Sequence, residues 1–237
     1  MKLELLELEE RKAKFIVEGV HPYFVNALRR VLQAEVPKLA IDQVTFYDNT
    51  SALFDEIIAH RLALLPIPTD PSTLNRMGEL DDDGNPAYLV RYTLTKEGPC
   101  TVYSGDFECE DEAFLPADRK IPIVELLEGQ RLILEATAVL GQGTDHAKWQ
   151  VAQAVGYKYF PTTVVDNKKF TPEQAKEAVA NTPAGILGDG YQVTYDDRKF
   201  VFRFETDGSL KAEDALLKAV ELLKERFKGF SDAVGEL

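Results

Sequence analysis

The sequence predicts an α+β fold in which short antiparallel strands form the frame and two helices, one near each end of the chain, pack on it. Three observations predict this. Residues 2–8 and 12–18 alternate apolar and polar side chains on either side of the charged turn Glu9-Glu10-Arg11, the pattern of a half-buried hairpin. Residues 130–140 place Leu132, Leu134, Ala136, Ala138 and Leu140 on one face, the period of two of a strand. The segment from Pro22 to Glu35 and the segment from Leu210 onward instead repeat apolar residues with helical spacing.

The remaining elements follow in order. Pro37 closes the first helix, and short strands are expected around 41–47, 87–96, 99–104 and 151–160. A second amphipathic helix should run from about Asp55 to Leu65 and stop before Pro66. Residues 70–86, with Pro71, Gly84, Pro86 and clustered aspartates, read as an exposed loop. Residues 161–190 form a second interruption, inside which Thr171-Pro172-Glu173-Gln174 marks a short helix start with a Thr cap and Pro at the first helical position. Strands at 191–196 and 199–205 precede the C-terminal helix, with Phe200, Phe202 and Phe204 sharing a face.

Composition excludes several functions. Against 27 basic residues stand 40 acidic ones, a net charge of −13, so nucleic-acid affinity built on lysine and arginine is not expected and any such role would run through protein partners. The N-terminus has no signal-peptide pattern, and no apolar run approaches the roughly 18 residues of a membrane span, so a cytoplasmic, soluble protein is expected. Gly141-Gln142-Gly143 follows a strand but lacks the third glycine of a dinucleotide turn, since His146 stands there. Asp81-Asp82-Asp83-Gly84-Asn85 fails as a calcium loop because Pro86 and Tyr92 occupy the required glycine and glutamate positions. His21, His60 and His146 have no second ligand at metal spacing, so no metal site and no catalytic residue is expected. Cys100 and Cys109 are equidistant from Ser104-Gly105, and a tight turn there would set them opposite one another across a hairpin. Two small reduced thiols are the expectation in a reducing compartment, and a disulfide only in a hyperthermophilic source.

Two helices carry surfaces that suggest partners. On the first, Asn26, Arg29, Arg30 and Gln33 form one polar stripe, opposite Phe24, Ala27, Leu28, Val31 and Leu32. The stripe is either a solvated face or an anchor for an acidic partner, since arginine forks pair well with carboxylates. On the C-terminal helix, Leu216, Val220, Leu223 and Phe227 follow a 4-3-4 spacing, and Leu210, Leu217, Ala219 and Leu222 widen the apolar surface. Either the first helix covers it within the monomer, or a partner helix does.

Segments along nearly the whole chain resemble one family. Asn26-Ala27-Leu28-Arg29-Arg30-Val31-Leu32, then Phe54 to Pro66 (FDEIIAHRLALLP), then His146-Ala147-Lys148-Trp149-Gln150 are similar to signature segments of the alpha-like D polypeptide of archaeal DNA-directed RNA polymerase, the counterpart of the eukaryotic third-largest subunit and of bacterial alpha. Thr206-Asp207-Gly208-Ser209-Leu210 with Ala215-Leu216 resembles the end of the alpha dimerisation domain. The resemblance implies a discontinuous dimerisation domain at 1–39 and 150–237, interrupted by a mostly β insert domain at 40–149. It implies a heterodimer with the small alpha-like subunit L, made through Phe24, Leu28, Val31, Leu216, Val220, Leu223 and Phe227. It further implies assembly with small subunits N and P and with the second-largest subunit, which Asn26, Arg29, Arg30, His60, Arg61, His146, Lys148 and Trp149 would face.

The chain departs from that family's range in three places. Residues 161–190 contain no cysteine where many archaeal relatives carry an iron–sulfur domain, so no cluster is expected. The loop at 70–86 has none of the zinc-binding cysteines of the eukaryotic counterpart. The chain also ends soon after the dimerisation helix, where bacterial alpha continues into a DNA-binding domain, so direct promoter contact is not expected. The leading expectation is a non-catalytic assembly subunit of RNA polymerase. A free-standing heterodimerising adaptor outside the polymerase is the alternative, and an enzyme with an unrecognised site ranks last.

Overall fold

The computed structural model describes residues 1–82, 84, 86–165 and 191–235. In chain order the elements are β1 (Lys2–Leu8), β2 (Lys12–Glu18), α1 (Pro22–Ala34), β3 (Lys38–Asn49), α2 (Asp55–Ala63), β4 (Leu89–Glu97), β5 (Cys100–Tyr103), β6 (Glu108–Cys109), β7 (Pro122–Leu126), β8 (Arg131–Gly141), β9 (Ala152–Val165), β10 (Tyr191–Thr206) and α3 (Ala212–Gly235). Short stretches of 3-10 helix occur at Pro71–Arg76, Ser104–Asp106, Glu112–Phe114 and Ala147–Trp149. The helix start expected at Thr171-Pro172-Glu173-Gln174 lies outside the described residues.

The first sheet has the antiparallel order β1-β2-β10-β9, so the two ends of the chain meet in it. Its inner face is aromatic: Phe15, Phe200, Phe202 and Phe204 are fully buried, and Phe15 stacks on Phe202 with ring centroids 5.2 Å apart. Helices α1 and α3 cover that face with Val25, Leu28, Val31, Leu32, Ala215, Ala219 and Leu223. Pro22 stands in the first turn of α1, where its missing N–H costs nothing, and Pro37 ends the helical run. A second core lies between the sheet β3-β8-β4-β6, the two-stranded sheet β5-β7 and α2. There Leu132, Leu134, Ala136 and Ala138 of β8 face inward as their alternation predicts, against Ile58 and Leu62 of α2.

A polar junction ties the two cores together. Lys38, which opens β3, is almost wholly buried and forms an ion pair with Asp207, in the turn that feeds α3. Asp207 also accepts hydrogen bonds from the Ser209 backbone N–H at 2.9 Å and the Ser209 hydroxyl at 2.6 Å. The Ser209 carbonyl accepts from the Thr69 N–H at 2.8 Å, and the Thr69 hydroxyl accepts from the Leu39 N–H at 3.0 Å. The start of β3 and the turn before α3 are thus joined by a chain of buried polar groups as well as by apolar contact.

Three expectations need correction. Strand β1 is exposed along its whole length, because no element among the described residues covers the edge of the sheet beside it, so only β2 of the hairpin is half-buried. Strands 191–196 and 199–205 are one strand, β10, with a register shift between Tyr195 and Phe200. The 70–86 loop is mostly exposed, as expected, and is anchored where Leu74 enters the first core and Asn75 accepts a hydrogen bond from Lys218 of α3. Cys100 and Cys109 do not face each other across a hairpin. Cys100 pairs with Leu126 of β7 and Cys109 with Tyr92 of β4, in different sheets, and both are free thiols.

Candidate protein interfaces

On α1 the polar stripe is partly organised before any partner arrives. Arg29 donates from Nε to the Asn26 side-chain oxygen at 3.1 Å and from Nη1 to the Gln33 oxygen at 3.2 Å. Two neutral amides thus hold the guanidinium flat against the helix without neutralising it. Neither Arg29 nor Arg30 has a carboxylate partner among the described residues. A pre-set, unneutralised arginine next to a second one suits a planar carboxylate, because little side-chain freedom remains to be lost on binding.

The end of α1 abuts the loop after β8. The Ala34 carbonyl accepts from the Thr144 N–H at 2.9 Å and the Glu35 carbonyl from the Gln142 side-chain amide at 2.9 Å. This explains Gly141-Gln142-Gly143 without a nucleotide. A Cβ on Gly141 would lie 2.4 Å from the Trp149 ring, and one on Gly143 would lie 2.9 Å from the Gln33 carbonyl.

Trp149 itself is only 9% exposed and donates its indole N–H to the Val139 carbonyl at 3.2 Å. Lys148 lies over that indole, 4.2 Å from the ring centroid, and is paired with Asp42. Trp149 is thus buried within the chain, and Lys148, half-buried, is engaged by contacts inside it. His146 stays exposed and accepts the Lys148 N–H at 3.0 Å as a cap.

Helix α2 has two apolar faces. Ile58 and Leu62 point into the second core, while Phe54, Ile57 and Leu64 stand exposed, with Arg61 between them in the i, i+3, i+7, i+10 row. The Arg61 guanidinium donates to the Pro122 carbonyl at 2.8 Å, and His60 is exposed beside it. Sequence reasoning found His60 and Arg61 but missed the outer apolar row, although its spacing is legible.

On α3 the expected seam splits in two. Leu223, like Leu28 and Val31 of α1, is buried in the chain's own core, and Phe24 and Leu216 pack partly against it. The apolar side chains left uncovered are Leu217, Val220, Phe227, Phe230 and Val234, each between 43% and 70% exposed. Every residue from Lys224 to Gly235 is exposed, so the last turns of α3 project beyond the sheet. Strand β1 extends the same surface: Leu3, Leu5 and Leu8 lie opposite Val17, Phe15 and Ala13, hence on the helix-covered face of the sheet, yet they are 45% to 60% exposed.

The whole-chain comparisons agree with this geometry. A family model described as the RNA polymerase Rpb3/Rpb11 dimerisation domain matches residues 14–227. The chain belongs to the Rpo3 family of archaeal RNA polymerase subunits. It is 38% identical to DNA-directed RNA polymerase subunit Rpo3 of Methanosarcina acetivorans over 255 aligned residues, covering 94% of each chain. To the Rpo3 subunit of Pyrococcus furiosus it is 39% identical, covering 100% of this chain and 98% of the relative, and to that of Thermoplasma volcanium 35%, covering both in full. Membership of the Rpo3 family accounts for the signature segments and for the α+β architecture. Among the described residues no group of His, Cys, Asp and Glu is placed to hold a metal ion, and no helix is long and apolar enough to cross a membrane.

Proposed function

We propose that this chain is a non-catalytic assembly subunit of a cytoplasmic DNA-directed RNA polymerase, whose α1, α3 and β1 surfaces pair with a smaller alpha-like subunit L. The observation that carries it is the exposed apolar stripe on the projecting end of α3, continued by the uncovered leucines of β1. Such a contiguous patch marks an interaction site. In this reading residues 1–39 and 150–237 form the dimerisation domain and 40–149 an insert domain. Asn26, Arg29 and Arg30 on α1, His146, and the outer row of α2 with His60 and Arg61 face the second-largest subunit. Small subunits N and P join the same platform.

Co-expression with the small subunit tests the pairing. The chain alone should self-associate, the pair should elute as one heterodimer, and Phe227→Asp with Phe230→Asp should abolish the pair without changing the helical signal in circular dichroism. A monodisperse chain that ignores the small subunit would refute the proposal. Arg29→Ala with Arg30→Ala should leave the heterodimer intact and weaken capture of the second-largest subunit by about 2–5 kcal/mol. Unchanged capture would make the stripe a solvated face.

A further inference from the structure

We infer that the outer face of the first sheet, on the side away from the helices, is a docking site for an acidic polypeptide segment of a partner chain, held by Lys14, Arg203 and Lys158. This face lies across the sheet from the α1, α3 and β1 surfaces, so it does not depend on the pairing proposed for them.

The strand register places the three cations together. Lys14 of β2 lies directly opposite Arg203 of β10, and Lys158 of β9 lies opposite Val201, two residues along the same face. Their neighbours Ala13, Phe15, Phe202 and Phe204 are buried beneath the helices, so alternation turns Lys14 and Arg203 outward, and all three cations are exposed. None of the three forms an ion pair or a side-chain hydrogen bond among the described residues. The cations on either side are neutralised: Lys12 meets Glu205 at 3.7 Å and Lys199 meets Glu18 at 3.7 Å. Like charges directly across a ladder destabilise it. Glu7 of β1 stands opposite Lys14 on its other side but forms no ion pair with it, so the repulsion between Lys14 and Arg203 is only partly offset within the described sheet.

The backbone opens the same spot. Gly156 faces Arg203 on β9, and a Cβ there would meet nothing within 4 Å, so Lys14, Gly156, Tyr157, Lys158, Val201 and Arg203 line an open trough of about 330 Å³. Just before it the register shifts between Arg203 and Glu205, and Ala154 takes φ 49°, a conformation that residues other than glycine rarely adopt.

The shape selects the ligand. Arg203 and Lys158 stand at diagonal positions, roughly 7–8 Å apart. An extended chain presents alternate side chains on one face every two residues, about 6.6–6.8 Å. Two carboxylates at i and i+2 therefore reach both cations, with Lys14 beside the first. A nucleic acid fits poorly, because three phosphate contacts release few counterions.

Fluorescence anisotropy of the full chain with a labelled peptide of alternating Glu and Ser tests this. Saturable binding that weakens with salt, and no binding of the Gln-for-Glu peptide, is the expected result. Arg203→Ser with Lys158→Ser should weaken binding by roughly tenfold while leaving the melting temperature unchanged or higher, as relief of like-charge repulsion requires. Should that double variant fail to fold, Lys14→Gln alone should still weaken binding measurably. No binding by the wild-type chain at low salt, or equal binding by a folded variant, overturns the inference. Tighter binding of a labelled oligothymidylate, lost in the same variant, also overturns it by assigning the face to nucleic acid.

Discussion

The ion pair between Lys38 and Asp207 makes the sharpest energetic test of how the two cores are joined. Asp207→Ala leaves a buried ammonium without its partner and strips the Ser209 N–H and hydroxyl of their acceptor. Breaking a buried pair from one side costs about 3–5 kcal/mol, because the remaining charge is neither solvated nor compensated. A domain of this kind has only about 5–15 kcal/mol in total, so the variant should lose roughly a fifth or more of its stability. Lys38→Met with Asp207→Leu removes both charges and should recover much of the loss, though not all, since Ser209 keeps unsatisfied donors. Urea titration followed by circular dichroism, at pH 7 and with the single Lys38→Met variant completing the cycle, measures the coupling. A loss below about 1 kcal/mol for Asp207→Ala would place the pair in the class of solvated surface bridges and refute the argument from burial.

Other outcomes follow from single contacts. Gly141→Ala forces a methyl into the Trp149 ring and should cost about 1–3 kcal/mol, visible as a lower urea midpoint. Ala154→Gly relieves the positive φ and should leave stability equal or raise it by up to about 1 kcal/mol in the same titration. Burial pushes the Cys109 thiol above its ordinary value, and its proton is donated to the Asp111 carbonyl at 2.9 Å, so alkylation by iodoacetamide at pH 8 should be slow and should accelerate as pH rises. Burial opposes the charge on Asp106, yet hydrogen bonds from Lys96 and from the Tyr103 N–H hold its carboxyl below the usual aspartate range. Its contribution is therefore present above the unfolded value of about 3.9 and lost as pH falls through the lower folded value, so Asp106→Asn should flatten the acid limb of the stability profile below about pH 4.

What the sequence made legible is what short-range periodicity encodes. The aromatic row Phe200, Phe202, Phe204 and the β8 alternation found their faces because a strand has only two, and both cores demanded the apolar one. Periodicity could not say which apolar surface is covered. Leu3 and Leu5 read like any half-buried strand, but β1 is the edge of its sheet and the helices lie over its neighbours. Leu223 and Phe227 read as one seam, but Leu223 is buried in the first core while Phe227 is 61% exposed, so one is core and the other is free. The burial of Trp149 was not legible because the glycine that makes room for the indole, Gly141, is eight positions away, on another element. Asp207 and Lys38 are farther apart still, and only the closing of the first sheet around both chain ends brings them together.

The exposed stripe of α3 is too small to hold a partner unaided, and this gives β1 a role. Fully burying a large apolar side chain gains about 1.5–3 kcal/mol, so Leu217, Val220, Phe227, Phe230 and Val234, already part-covered, can gain roughly 5 kcal/mol between them, and a matching partner face a similar amount. Association costs about 4–15 kcal/mol in lost motion, so the helix stripe alone comes close to breaking even. Leu3, Leu5 and Leu8 add about 3 kcal/mol more on the same side of the sheet. Leu3→Asp with Leu5→Asp should therefore weaken pairing with the small subunit by roughly a hundredfold in Kd, about 2.7 kcal/mol, while the free chain keeps its circular dichroism, since every residue of β1 is exposed in the monomer. Titration of the labelled small subunit measures the change. Pairing that survives this variant yet fails in Phe227→Asp with Phe230→Asp would confine the seam to the helix, and the affinity missing from the helix stripe would have to come from contacts other than β1.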